Sequence, residues 1–89
     1  MINLVKGALR ITTDAPGIID EVENLIDACK SDLEMAGIKY NENDGLIRRA
    51  TVMYAKGHFG YDNPEADRFL RSYEKLKQHL MLSGDYREA

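Results

Sequence analysis

The chain has one cysteine, two histidines, two prolines and no tryptophan in 89 residues. Several classes of protein drop out on those scarcities alone. A lone thiol, Cys29, leaves no internal disulfide and no Cys-based zinc site. On the inner face of a helix it reads as a small apolar filler. His58 and His79 have neither a cysteine nor a second histidine at ligand spacing, so no metal is expected. No segment approaches the roughly 20 apolar residues of a membrane span. The N-terminus lacks the apolar run of a signal peptide, so a cytosol-like, reducing compartment is expected. No strand is predicted, hence no strand-to-helix phosphate loop. The carboxylates of the second helix could form a catalytic pair, but helical surfaces commonly carry such acids without chemistry, so no cofactor and no catalytic residue are expected.

What is present is charge, unevenly spread. The net charge of −3 argues weakly against a general nucleic-acid binder. From Asp14 to Ala36 seven acids (Asp14, Asp20, Glu21, Glu23, Asp27, Asp32, Glu34) face Lys30 alone, a balance of −6. From Asp44 to Ser83 seven bases (Arg48, Arg49, Lys56, Arg68, Arg71, Lys75, Lys77) face five acids, a balance of +2. Two solvated helix faces account for this, and so does head-to-tail association of copies, acidic flank on basic flank.

The apolar spacing is helical throughout. Ile2, Val5 and Leu9, with Leu4 and Ala8, predict a short first helix. Thr13 or Asp14 is placed to cap a second, with Pro16 in its opening turn and Gly37 as its stop. Its inner stripe is Ile18, Val22, Leu25, Cys29, Leu33 and Ala36, broadened by Ile26. Asn43 or Asp44 caps a third helix with Leu46, Ile47, Ala50, Met53, Tyr54 and Gly57 inward. Gly57 lets a neighbouring helix come close. Gly60 supplies a left-handed closing position, and Asn63-Pro64 opens a fourth helix reaching about Leu82. Its core stripe is Phe69, Tyr73, Leu76 and Leu80, and the order Asp67–Arg71 favours an i,i+4 ion pair. Tyr54, Phe59, Tyr61, Phe69 and Tyr73 crowd this third-to-fourth corner. The expected fold is all-α: one compact bundle of about four helices, two long and two shorter, over residues 1–83, with a short tail at 84–89. A domain this small buries only about 60–65% of its unfolded surface, so a partner often completes the core.

Two signals mislead. Asn41-Glu42-Asn43-Asp44-Gly45 resembles a calcium loop, but alignment on Gly45 puts Tyr40 first and Thr51 last, where the anchoring Asp and Glu belong. It reads as a turn and a helix cap. The third and fourth helices also match a helix-turn-helix DNA reader, with Arg68, Arg71, Lys75 and His79 on one stripe. Glu65 and Asp67 stand where phosphates would be met, which disfavours it.

The succession Leu9-Arg10-Ile11-Thr12, Glu23-Asn24-Leu25-Ile26-Asp27-Ala28-Cys29-Lys30-Ser31-Asp32-Leu33 and Ala36-Gly37-Ile38 carries a resemblance. It continues through Leu46-Ile47-Arg48-Arg49-Ala50, Tyr54-Ala55-Lys56, Phe59-Gly60-Tyr61-Asp62-Asn63-Pro64, Tyr73-Glu74-Lys75-Leu76-Lys77 and Leu82-Ser83-Gly84-Asp85-Tyr86. In order and spacing the chain resembles the tailed-phage head–tail connector proteins, also described as DNA-packaging or head-completion proteins. The resemblance implies a non-enzymatic adaptor of the virion, assembled in the host cytoplasm as a ring, twelvefold under the portal. Such a ring extends the channel through which DNA passes without specific recognition, and docks the stopper or tail-completion protein. A ring requires two different complementary patches on each copy. Asp20, Glu23, Asp27 and Glu34 are the expected acidic side, and Arg48, Arg68, Arg71 and Lys75 the basic side. Leu70, Met81 and Leu82, off the core stripe, and Tyr86 in the tail are the expected contacts with the portal or a neighbouring copy.

Overall fold

A computed structural model of the chain describes residues 1–60 and 63–87. It is all-helical, as the spacing predicts: α1 (Ile2–Ala8), α2 (Pro16–Met35), α3 (Gly45–His58) and α4 (Ala66–Leu82), then a 3-10 turn at Gly84–Tyr86. Helix α2, about 30 Å long, lies in a body whose longest extent is 39 Å.

The helix ends follow local chemistry, though not always through the expected residue. Helix α1 closes with Arg10 left-handed at φ 59°, its neighbour Ile11 donating to the Lys6 carbonyl at 2.9 Å. Helix α2 closes the same way at Gly37, φ 82°, with Ile38 N–H bonded to the Leu33 carbonyl at 3.0 Å. Its start differs from expectation. The N-cap is Ala15, with no side-chain cap. Asp14 instead pairs with Lys6 of α1, and the Thr13 hydroxyl accepts the Ala15 N–H at 3.1 Å. Pro16 at the first turn needs no donor partner, which eases the loss of a cap.

Asp44 is the cap of α3, accepting from Leu46 and Ile47 N–H at 2.8 and 3.2 Å. The turn before it is tied by Asn41, so the calcium-like run is a turn and a cap. Capping at Asp44 sets the helix phase, with Ile47 fully buried and Leu46, one residue off the inner stripe, 43% exposed. Leu46 is therefore not a core residue.

Two apolar clusters share α2 and α3. Cys29, Leu33, Ile38, Ile47, Ala50, Tyr73 and Leu80 form the larger, between the C-terminal half of α2, the start of α3 and α4. Val5, Val22 and Ala55 form the smaller, where α1 crosses α2 and α3. Polar groups thread the larger cluster. Buried Thr51 donates to the Ile47 carbonyl at 2.9 Å, so its hydroxyl accepts from Tyr40 at 3.0 Å. Burial pushes the Cys29 thiol up to about 11. Tyr73 donates to Asp32 at 2.5 Å, and Lys77 reaches the same carboxylate at 3.0 Å. Burial works against the charge on Asp32, but these two bonds outweigh it and hold the carboxyl below its ordinary value.

At the α3–α4 corner Gly60 is left-handed, φ 83°, as expected. Asn63 acts differently. Its amide donates to the Lys56 carbonyl at 2.8 Å, tying off the end of α3, while its oxygen accepts from Glu65 N–H at 3.0 Å. Pro64 and Glu65 form a turn, and α4 starts only at Ala66. Tyr61, expected among the corner aromatics, lies outside the described residues. Tyr54 and Tyr73 meet edge to face at 5.1 Å between ring centres. A Cβ on Gly57 would stand 2.4 Å from Leu70 Cδ2, so the helices touch where glycine was expected to admit a neighbour.

Candidate functional site

The surface offers two charged faces built on opposite sides of α3. The inner side of α3, with Ile47, Ala50, Thr51 and Ala55 buried, packs toward α2. At 100° per residue, Gly45, Arg49, Val52 and Lys56 turn to the other side, flanked by Arg48 and by Met53, which also packs against the larger core cluster. Together with Leu4 of α1 and Arg68, Phe69 and Ser72 of α4 they line an open groove of about 690 Å³. Its floor is apolar and its rim carries four cations. Lys56 and Arg68 flank the Phe69 ring, 5.1 and 5.2 Å from its centre, a cation–π contact that holds both at the rim. Glu65 pairs with Arg68 at 3.1 Å.

The outward face of α2 is the acidic counterpart. Asp20, Glu23, Asp27 and Glu34 are all exposed, and among the described residues none of the four forms an ion pair. Asp32, an acid of the same helix, is turned inward to Tyr73 and Lys77. Its spacing, three residues after Cys29 and four before Ala36, already sets it at the edge of the inner stripe, but its partners depend on where α4 lies.

The expected basic set divides. Arg48 and Arg68 meet in the groove, whereas Arg71 and Lys75 border a separate shallow depression with Asp67, Leu70 and Glu74. Among the described residues the i,i+3 ion pairs along α4 are Arg68 with Glu65 and Lys77 with Glu74, in place of Asp67 with Arg71. Arg49 and Lys56 join the groove without having been singled out. Their signal was available as a second stripe along α3 at three- and four-residue steps.

Of the expected docking residues, Leu70 is half-buried against Gly57. Met81 and Leu82 are 40% and 84% exposed. Residues 84–87 fold back on the domain. Lys39 N–H donates to the Tyr86 carbonyl at 2.7 Å, Arg87 bridges Ile38, and the Tyr86 hydroxyl reaches both Asp44 oxygens at 3.0 Å. Asp44 thereby anchors the start of α3 and the tail together. Burial opposes its charge, but the Ile47 N–H, the Tyr86 hydroxyl and the Leu46 N–H outweigh it and lower its pKa.

Among the described residues no cluster of His, Cys, Asp or Glu is arranged to hold a metal ion, and no helix is long and apolar enough to cross a membrane. In comparison with known families, the model described as phage connector protein matches residues 1–87. No curated protein and no solved structure matches the chain.

Proposed function

The chain belongs to the phage connector protein family, and from that premise we propose that it is a ring-forming adaptor between the phage portal and the stopper or tail. The family match over nearly the whole length carries the reading. The ring extends the DNA channel after packaging, is twelvefold on the virion, and performs no catalysis. DNA passes through it without sequence recognition.

The physical support is the placement of two unlike surfaces on one rigid body. Unlike patches on opposite sides make each contact heterologous, and heterologous contacts close into rings when the rotation per copy is right. Asp20, Glu23, Asp27 and Glu34 supply the acidic side in this reading. The basic side is centred on Arg48 and Arg68, with Arg71 and Lys75 beside it on α4. Met81 and Leu82, exposed at the end of α4, serve the portal or a neighbouring ring, with Leu70 and Tyr86 as secondary contacts. An acid-lined channel neutralises few phosphates and so lets DNA slide.

Electron microscopy of the purified protein over rising concentration tests the proposal. Rings with a central channel are the expected result. A monomer at every concentration that binds duplex DNA with sequence preference would overturn it in favour of a helix-turn-helix regulator.

A further inference from the structure

The groove beside α3 combines an apolar floor with four charges of one sign. Leu4, Val52, Met53 and Phe69 form the floor, and Arg48, Arg49, Lys56 and Arg68 the rim. A phosphate backbone would satisfy the rim and leave the floor without a partner. A helix carrying acids and an apolar side chain satisfies both. Helix α2 is such a helix. Asp20, Glu23, Asp27 and Glu34 run along its exposed face, and Met35, next to Glu34, is 88% exposed. Lengths agree as well. Gly45 to Lys56 covers about 16 Å of α3, and Asp20 to Glu34 about 21 Å of α2. The two surfaces cannot meet within one chain, because α2 occupies the opposite side of α3.

We propose that the groove receives α2 of a second copy, its carboxylates over the four rim cations and its Met35 against the apolar floor. The inference rests on the connector reading and names the contact by which copies join. It moves the basic partner away from Arg71 and Lys75 to Arg49 and Lys56. Each copy presents one groove and one α2, so the contact repeats in one direction around the assembly. The rim is exposed, and salt weakens the contact.

Disulfide trapping tests it with the full chain. Met35→Cys protein is mixed with Val52→Cys protein, and in parallel with Arg71→Cys protein, under mild oxidation at high concentration. Cys29 is fully buried and stays out of the reaction. The 35–52 cross-link is expected to form roughly tenfold faster than the 35–71 cross-link, since docking raises the local thiol concentration. High salt, or Arg49→Glu with Arg68→Glu in the groove partner, is expected to remove that advantage. Ser72→Cys provides a second groove position should Val52→Cys fold poorly. Equal rates at groove and control positions would overturn the proposal. If rings are seen while the rates are equal, the groove contact is wrong and the connector reading stands. If neither rings nor a preferred cross-link forms, the groove contact is overturned, and the connector reading falls with it only if the monomer also binds duplex DNA with sequence preference. Duplex DNA bound through Arg49 and Arg68, with no preferred cross-link, would assign the groove to nucleic acid instead.

Discussion

Replacing Gly57 by alanine tests how closely α3 and α4 approach, and the sign of the effect is informative. In an isolated helix the change stabilises by about 1 kcal/mol, because alanine loses less backbone entropy. Here the added methyl would stand 2.4 Å from Leu70 Cδ2, 2.6 Å from Leu70 Cγ and 3.5 Å from the Ala66 carbonyl oxygen. Relief requires Leu70 to change rotamer or the helices to part, and overpacking of this kind costs about 1–3 kcal/mol. The net expectation is a loss of about 1 kcal/mol. Over 89 residues, with an unfolding entropy of about 2.1 cal/mol/K each, that is a fall in Tm of roughly 5 °C. Leu70→Ala removes the obstacle, so in that background Gly57→Ala should stabilise by about 1 kcal/mol, a coupling of about 2 kcal/mol. Urea unfolding followed by circular dichroism on the four proteins of the cycle measures both signs. A Gly57→Ala protein more stable than wild type, with additive effects in the double variant, would refute the close approach. The angle of the corner would then be set elsewhere.

Tyr73→Phe removes the hydroxyl that donates to Asp32. With Asp32 39% exposed and still paired to Lys77, the loss should lie near 1.5 kcal/mol, the lower end for a bond to a charged group. Because the folded carboxyl is held below its ordinary value, its contribution is present above the unfolded pKa of about 4 and disappears as pH falls through the folded value. Urea midpoints measured against pH should therefore show a shallower acid-side decline in Tyr73→Phe than in wild type. Asp44→Ala should lose about 1 kcal/mol from the cap of α3. It should also speed hydrogen exchange at the Lys39 amide, since Tyr86 loses its anchor. Arg10→Gly relieves a left-handed residue and should raise stability by about 0.5–1 kcal/mol in a thermal melt.

Much of the helical layout is visible in one dimension because it depends on neighbours three or four residues apart. Asp44 as a cap, Gly37 as a left-handed closure, the positive φ of Gly60, and the stripe Val22–Cys29–Leu33 all follow from local geometry. Departures from that local pattern each involve a distant group. Asp14 left the cap of α2 because Lys6 lies across the turn. Asn63 turned back to the Lys56 carbonyl because α3 ends beside it. Asp32 stands at the edge of the inner stripe of α2 by its spacing, but only the position of α4 gives it Tyr73 and Lys77 as partners.

The candidate surfaces divide along the same line. Periodicity and charge counting determined that this is an all-helical chain with an acidic second helix and bases beyond Asp44, and the order of its modest motifs pointed to the connector family. Both are properties of residues close together in the chain. Only the tertiary structure decided which bases stand together. Arg48, Arg49 and Lys56 share one side of α3, and packing of α1 and α4 alongside adds Leu4, Arg68 and Phe69 to make a groove. Arg71 and Lys75, equally basic and equally near in sequence, face elsewhere. A helix wheel sets the side on which a residue lies, but which neighbour closes that side depends on contacts between residues far apart in the chain.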